Sequence, residues 1–357
     1  MTHSNFRLLV IRLGAMGDIL HALPAVTALR LAHPEWVIDW VVEPRWRALL
    51  AATSETDSNS NRSPSRPLVD RLYFASTREW RKAPLSPKTL HEIMALRSTL
   101  RAGAYDAVLD LQGAVRSAVV ARLVSCPRLI GESEPRERIA RRLFTERVVT
   151  HGAHVIDQDV ELASAVAGDI LAPATPWLPV DPAAEAWADE LLSSANAQSI
   201  VLINPGAGWG AKRWPVERYA AVTQGLIQRD FRVLVNAGPG EEPLAAGIVQ
   251  KSGGAAAPLT CTLGQLIALT RLVALVIAGD TGPLHLACAL GRPVVGIYGP
   301  TDPSRNGPYG TRCKVLRSPL SRRDHTRHAA PEAGLLTISP EDVLQAADEL
   351  LGKVTTS

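Results

Sequence analysis

Leu272-Val273-Ala274-Leu275-Val276-Ile277-Ala278-Gly279-Asp280-Thr281-Gly282-Pro283-Leu284-His285-Leu286-Ala287-Cys288-Ala289-Leu290-Gly291 is the stretch whose reading decides the fold. Its unbroken apolar run, 272–277, is the pattern of a strand buried on both faces, and it stops at small residues and an acid. After Gly282 the apolar residues Leu284, Ala287, Cys288 and Ala289 fall at helical spacing, so the chain turns from strand to helix at Asp280-Thr281-Gly282. Such a turn leaves backbone N–H groups free at the helix start, where an anion such as a pyrophosphate can sit. Thr281 adds a hydroxyl, Gly282 lets a ligand approach the backbone, and Asp280 and His285 add two polar side chains. Each residue alone has a plainer reading, a helix cap for Asp280 or Thr281 and an ordinary polar helix position for His285. The cluster favours binding.

The same strand-then-helix alternation extends in both directions. Residues 6–13 read as a buried strand, 14–18 as the loop that closes it and 19–32 as a helix. Strands at 37–42 and 107–111 follow, with a helix at 89–100 between them. The four prolines Pro173, Pro176, Pro179 and Pro182 mark 172–182 as an inter-domain linker, which predicts one α/β domain over 1–172 and a second over 183–357. The second begins with a strand at 199–203 that runs into Asn204-Pro205-Gly206-Ala207-Gly208-Trp209-Gly210-Ala211-Lys212-Arg213. That loop lacks the GK[ST] ending of a Walker A loop, and its glycines do not fit GxGxxG. What remains is a glycine loop delivering a lysine after a strand, suited to meeting a phosphate. A strand at 231–235 ends in Asn236-Ala237-Gly238-Pro239-Gly240-Glu241-Glu242, where an acid can accept hydrogen bonds from ribose hydroxyls or simply favour a helix N-terminus. A last strand at 293–297 and a helix at 340–351 complete the domain.

The 357 residues are 46% apolar and 20% charged, which describes a globular chain able to bury two cores. A net charge of +3 does not suggest nucleic acid as a partner. The four cysteines lie far apart with no metal-binding spacing, which fits a reducing compartment. No apolar run approaches the ~20 residues needed to span a bilayer, so a cytoplasmic protein is expected. Residues 52–66 are polar and of low complexity and read as a disordered insertion. The D-x-D at Asp157 and Asp159 falls in a helical stretch whose apolar positions are Val155, Leu162, Ala163 and Val166, so both acids read as exposed rather than as metal ligands. Arg78-Glu79-Trp80-Arg81-Lys82 and residues 136–143 are basic, and each suits either an acidic ligand or a solvated face.

Three separated motifs, Gly17-Asp18-Ile19-Leu20-His21-Ala22-Leu23-Pro24, Asp280-Thr281-Gly282-Pro283-Leu284-His285 and Tyr298-Gly299-Pro300-Thr301-Asp302-Pro303, resemble in sequence and order those of the ADP-heptose:lipopolysaccharide heptosyltransferases. The likeness runs over 6–309 and includes Asp110-Leu111-Gln112-Gly113. Asp39-Trp40-Val41-Val42-Glu43 and Arg78-Glu79-Trp80-Arg81-Lys82 are most similar to the type that adds the first heptose to the inner Kdo of the lipopolysaccharide core. The resemblance implies an α/β GT-B fold, two Rossmann-like domains facing a cleft, with the acceptor on the first and the sugar nucleotide on the second. It implies inversion at the anomeric carbon with no catalytic metal or cofactor, and Asp18 as the base. Lys212, Glu241, Asp280, Thr281, Gly282 and His285 would meet ADP-heptose, and Arg78 and Arg136 the acidic Kdo-lipid A acceptor. Peripheral contact with the cytoplasmic face of the inner membrane and a monomeric state are further expectations. Two segments depart from the family pattern, the Ser/Asn-rich 53–65 and the Arg/His-rich 317–331. The readings set against this one are a heptosyltransferase of the second or third type, a relative using another sugar or acceptor, and a non-catalytic nucleotide-sugar-binding regulator. A nicotinamide-dependent oxidoreductase would share the twin α/β pattern but lacks its glycine fingerprint here.

Overall fold

In the computed structural model of the chain, the described residues are 5–52, 62–193, 199–324 and 328–352. The chain divides into two units, Met1–Asp181 and Pro182–Ser357. In the first unit the elements run β1 (Arg7–Ile11), α1 (Met16–Ala32), β2 (Val37–Val42), β3 (Arg71–Phe74), α2 (Thr77–Lys82), α3 (Pro87–Ala102), β4 (Ala107–Asp110), α4 (Val115–Arg122), β5 (Leu129–Glu132), β6 (Glu146–Val148) and α5 (Val155–Ala167). The second runs α6 (Pro182–Ser193), β7 (Ile200–Asn204), α7 (Val216–Ile227), β8 (Arg232–Asn236), α8 (Glu242–Lys251), β9 (Ala257–Leu259), α9 (Leu263–Leu272), β10 (Leu275–Gly279), α10 (Gly282–Ala289), β11 (Val294–Tyr298), α11 (Pro303–Asn306), β12 (Cys313–Arg317) and α12 (Pro340–Leu351).

Each unit holds one six-stranded sheet, ordered β3-β2-β1-β4-β5-β6 in the first and β9-β8-β7-β10-β11-β12 in the second. Every strand pair is parallel. Counted within its own unit, each sheet has the order 3-2-1-4-5-6 of a Rossmann fold, whose ligand crevice opens at the carboxyl ends of strands 1 and 4, where the winding reverses. Those strands are β1 and β4 in the first unit and β7 and β10 in the second. Burial explains why they read as solid apolar runs: every residue of β7 and β10 is buried, as are Leu8 to Ile11 of β1. Helix α1 is buried from Ile19 to Arg30 on all sides because α5 packs over its outer face, so it lacks the one-sided stripe of a surface helix.

The proline segment 172–182 ends at the boundary between the units and is packed on the first of them. The N–H of Ala174 donates to the Pro24 carbonyl at 3.3 Å and that of Val180 to the Pro64 carbonyl at 2.9 Å, while Leu178 is buried. These contacts strap it to the first unit, because prolines remove donors without preventing their neighbours from donating. Of the expected disordered insertion 52–66, residues 53–61 lie outside the described residues. Its ends are packed: Ala52 and Arg66 are buried, and Ala52 N–H donates to the Ser65 carbonyl at 2.7 Å.

Candidate active site

In the second unit, β10 pairs with β7 in a register that sets Ala278 beside Asn204, so the loops leaving both strands start level. This brings Lys212 to Asp280. The lysine, at the end of a short 3-10 turn (Gly210–Lys212), ion-pairs its Nζ with Asp280 Oδ2, lies 3.4 Å from the Asp280 carbonyl and stands 4.2 Å from the Trp209 ring centroid. On its other side Asp280 Oδ1 meets His285 Nε2 at 3.3 Å, one turn into α10. Burial pushes the Asp280 carboxyl upward, but the His285 hydrogen bond and the Lys212 charge outweigh it and hold the group well below the usual carboxylate range. Thr281 is the N-cap residue of α10, and its hydroxyl donates to the Gly279 carbonyl at 3.2 Å. Lys212, Asp280, Thr281, Gly282 and His285 therefore converge at one helix start beyond a strand end, a place that suits a diphosphate.

Glu241 is the N-cap residue of α8, and its carboxylate accepts from the Gly238 N–H at 3.1 Å. The same carboxylate lies so close to Gly206 that a Cβ there would collide with it, which ties the β8 loop to the β7 loop. Glu242 is exposed in the first turn of α8, so of the two adjacent acids Glu241 is the one directed at the strand-7 loop.

The Arg/His-rich segment 317–331 folds over the same loops, with residues 325–327 outside the described residues. Arg317 Nε donates to the carbonyls of Gly299 (3.2 Å) and Thr301 (3.1 Å), and Asp324 N–H donates to that of Pro300 at 3.1 Å. Ala211 N–H donates to the His328 carbonyl at 3.0 Å, and Glu332 N–H to the Ala211 carbonyl at 3.1 Å. The lysine turn is thus held by backbone bonds rather than left as a loose glycine loop. A Cβ on Gly210 would collide with the Ala329 carbonyl, whereas one on Gly208 meets nothing within 4 Å. Gly210→Ala is expected to cost about 1–3 kcal/mol, as overpacking does, and Gly208→Ala far less; thermal denaturation of the two variants checks this.

In the first unit the register Ile11 beside Asp110 aligns the loops after β1 and β4, and Gln112 Oε1 accepts the Leu13 N–H at 2.8 Å across them. Asp18 lies in the first turn of α1. Its Oδ2 accepts the Ala15 N–H at 2.9 Å, and its side chain keeps 37% of its surface exposed. Behind it the buried Arg12 donates Nε to the Asp18 carbonyl at 3.0 Å and holds Nη2 3.9 Å from Asp18 Oδ1. Asp18 is thus both a helix-start group and an accessible carboxylate.

Asp159 corrects the sequence reading. It is buried on the inner face of α5, while Asp157 is half-buried near Gly152. Burial pushes the Asp159 carboxyl up to about 7, Arg12 opposes the shift, and Asp18, Glu132 and Asp110 add to it. Asp110 is likewise pushed up to about 6 by burial, against hydrogen bonds from Gly113, Ser117 and Gln112. A carboxyl raised above its ordinary value keeps a proton in the folded chain that the unfolded chain has released. Stability therefore falls as pH rises from about 4 to about 7 and then levels. Asp159→Asn is expected to flatten that slope and raise the melting temperature at pH 8 more than at pH 5; parallel pH-dependent curves for variant and parent would contradict it. Among the described residues no group of three or more His, Cys, Asp or Glu side chains is arranged to hold a metal.

The two arginines from the sequence reading stand beyond the carboxyl ends of β3 and β5. Arg78 Nε lies 3.6 Å from Glu43 Oε2, and Arg136 is exposed beside the Gly113 turn, where the Glu137 N–H donates to the Gly113 carbonyl at 2.9 Å. The structure adds residues that the sequence did not single out. Buried Glu43 also pairs with Arg45 at 3.0 Å and accepts the Thr77 hydroxyl at 2.9 Å. Burial lowers the Arg45 guanidinium's pKa, Glu43 raises it, and the charges of Arg78 and Arg116 lower it; Arg45 and Arg78 share Glu43, and Arg116 is near enough for its charge to be felt. Arg45, which also stacks 4.5 Å over Trp46, carried no signal in the sequence, because only the fold brings together the segments that follow β2, β3 and β4.

The sequence pattern of glycosyltransferase family 9 (heptosyltransferase) matches residues 93–334, more than half of the chain. Lipopolysaccharide heptosyltransferase 1 of Escherichia coli K12 is 30% identical over 327 residues, covering 88% of this chain and 94% of that one. Its namesake in Pseudomonas aeruginosa is 28% identical over 85% of this chain and 81% of its own. Among solved structures, Escherichia coli heptosyltransferase WaaC with ADP-2-deoxy-2-fluoro heptose superposes with a TM-score of 0.73 at 27% identity, covering 96% of this chain and 99% of that one.

Proposed function

The chain belongs to glycosyltransferase family 9, the heptosyltransferases, and from that membership we propose that it moves a heptose from ADP-heptose to a Kdo residue of the lipopolysaccharide inner core, with Kdo-lipid A as the acceptor. The observation that carries the donor half is the convergence of Lys212, Asp280 and His285 on the N-terminus of α10. Asp280 fixes the lysine at that helix start, so an ammonium and free backbone N–H groups face the same anion. Glu241 takes the ribose hydroxyls, and Thr281 and Gly282 line the approach to the diphosphate.

Transfer then runs as follows. Asp18 accepts the proton of the acceptor hydroxyl as that oxygen bonds to the anomeric carbon. The bond from that carbon to the β-phosphate oxygen breaks on the opposite face, which inverts the centre. The electron pair leaves with ADP, where Lys212 and the α10 amides stabilise it. The cations Arg78, Arg45, Arg116 and Arg136 suit the carboxylate of Kdo and the phosphates of lipid A. Such an acceptor resides in a bilayer, which calls for contact with the cytoplasmic face of the inner membrane. No helix among the described residues is long and apolar enough to cross one.

The test is ADP release from ADP-heptose with three acceptors: Kdo-lipid A, Kdo-lipid A already bearing one heptose, and lipid A without Kdo. Release with the first alone is the expected result. Release only with the heptosylated acceptor would assign a later step in core assembly, and ADP-heptose binding without release on any of the three would contradict this transfer.

A further inference from the structure

We infer that the hairpin of α2 and α3 is the surface by which the protein docks on an anionic lipid bilayer, with Leu85, Leu90 and Met94 entering the headgroup layer and Arg81, Lys82 and Lys88 meeting lipid phosphates. The inference deepens the proposed membrane-resident acceptor and rests on it.

The hairpin is built to present this face. Trp80 packs against the core of the first unit, and its Nε1 donates to Glu92 at 2.7 Å, which fixes α2 against α3. Ser86 caps α3, its hydroxyl accepting the Thr89 N–H at 3.1 Å, and Pro87 opens the helix, so the turn between them is set by local chemistry. With Thr89, Leu96 and Leu100 buried on the inner face, Leu90 and Met94 one turn apart project from the outer face, 49% and 57% exposed. Leu85, in the turn, is 84% exposed. Three large apolar side chains within ten residues of sequence, left out of the core by a rigid hairpin, are not a scatter of single exposures.

Charge selects the partner. Arg81, Lys82 and Lys88 lie within a few residues of Leu85 and Leu90 on the same hairpin and are exposed. Two of them have acidic neighbours, Lys82 with Glu79 at 2.8 Å and Lys88 with Glu92 at 4.0 Å. Exposed i,i+3 and i,i+4 pairs of this kind contribute little, so they exchange readily for lipid phosphates. Apolar side chains ringed by Lys and Arg are what an interfacial helix offers to an anionic membrane. The same hairpin carries Arg78, so docking would bring lipid-linked anions to the cationic group around Glu43.

The test is sedimentation of the full chain with vesicles of phosphatidylethanolamine, with and without phosphatidylglycerol and free of any lipopolysaccharide. The parent is expected to pellet with the anionic vesicles and to be released by salt. Leu85→Ser/Leu90→Ser/Met94→Ser and, separately, Arg81→Glu/Lys82→Glu are each expected to weaken partition by about tenfold or more. Ile170→Ser, at an apolar residue 93% exposed elsewhere in the same unit, is the control and should not change it. All these side chains are exposed, and equal melting temperatures verify folding. Unchanged pelleting of the triple variant, equal loss in the Ile170→Ser control, or concentration-dependent dimers abolished by the triple variant would each overturn the inference. Because the vesicles contain neither donor nor acceptor, the result is independent of whether the proposed transfer is correct. Transfer to a deacylated, water-soluble acceptor should be the same for the triple variant and the parent, while transfer to a vesicle-borne acceptor should fall.

Discussion

Asp18→Asn is expected to lower the rate of transfer by about 10²–10⁴-fold, the usual contribution of a positioned general base, while leaving the melting temperature nearly unchanged. Asparagine makes the comparison clean because Asp18 has two functions in the structure. Its Oδ2 accepts the Ala15 N–H at 2.9 Å at the start of α1, and an amide oxygen can still do that. An amide oxygen is far too weak a base to take a hydroxyl proton. Asp18→Ala removes both functions and is expected to lose about 1 kcal/mol of stability in addition. If the carboxylate served only the helix start, Asp18→Asn would turn over like the parent. Arg12 lies behind the carboxylate, its Nη2 3.9 Å from Oδ1, and its Nε bonds the Asp18 backbone carbonyl, a contact that both variants retain.

Lys212→Ala is expected to slow transfer by about 10²–10³-fold, in the range seen when one donor to developing charge is removed, and to raise the ADP-heptose concentration needed for half-maximal rate. Lys212→Arg should recover part of the rate, since the charge at the mouth of α10 is retained. A stability cost accompanies the alanine variant, because Asp280 is buried and would be left with His285 alone. The Asp280 carboxyl is held below its ordinary value in the folded chain. The sign is therefore fixed: the pair stabilises the fold above the ordinary carboxylate range, including neutral pH, and that contribution is lost only as pH falls below it. Unchanged kinetics in Lys212→Ala at a temperature where it is fully folded would remove the lysine from the donor site.

The second sheet was the most legible part of the chain, for a physical reason. A strand buried on both faces must be apolar throughout, and a Rossmann turn must expose small and polar residues at a strand end, so β10 and its turn show in the sequence, although the apolar run 272–277 starts in the last residue of α9 and β10 itself is Leu275–Gly279. The sequence placed Lys212, Asp280 and His285 near strand ends, but their contact depends on the register of β7 against β10, which sequence spacing does not encode. Asp159 was misread because its helix was taken to bury Val155, Leu162, Ala163 and Val166. Leu162, Ala163 and Val166 are indeed buried, but Val155 is only half-buried and the stripe continues through Ile156, Asp159 and Val160, which places one acid inside it. At 172–182 proline density marked the segment that ends at the unit boundary, but not that its N–H groups bind the first unit. Arg78 was singled out in the sequence, but its proximity to Arg45 and Arg116 was not legible for a different reason: the three follow different strands, β2, β3 and β4, and only the parallel sheet brings the segments after those strands to one end.

The most direct measurement is the mass and anomeric configuration of Kdo-lipid A after incubation with ADP-heptose, for the parent and for Asp18→Asn side by side. The account requires the parent's acceptor to gain one heptosyl residue with the configuration opposite to that of the donor, and the variant's acceptor to stay unmodified over the same time. An acceptor of unchanged mass with the parent, a product of retained configuration, or an equal gain with Asp18→Asn would contradict it.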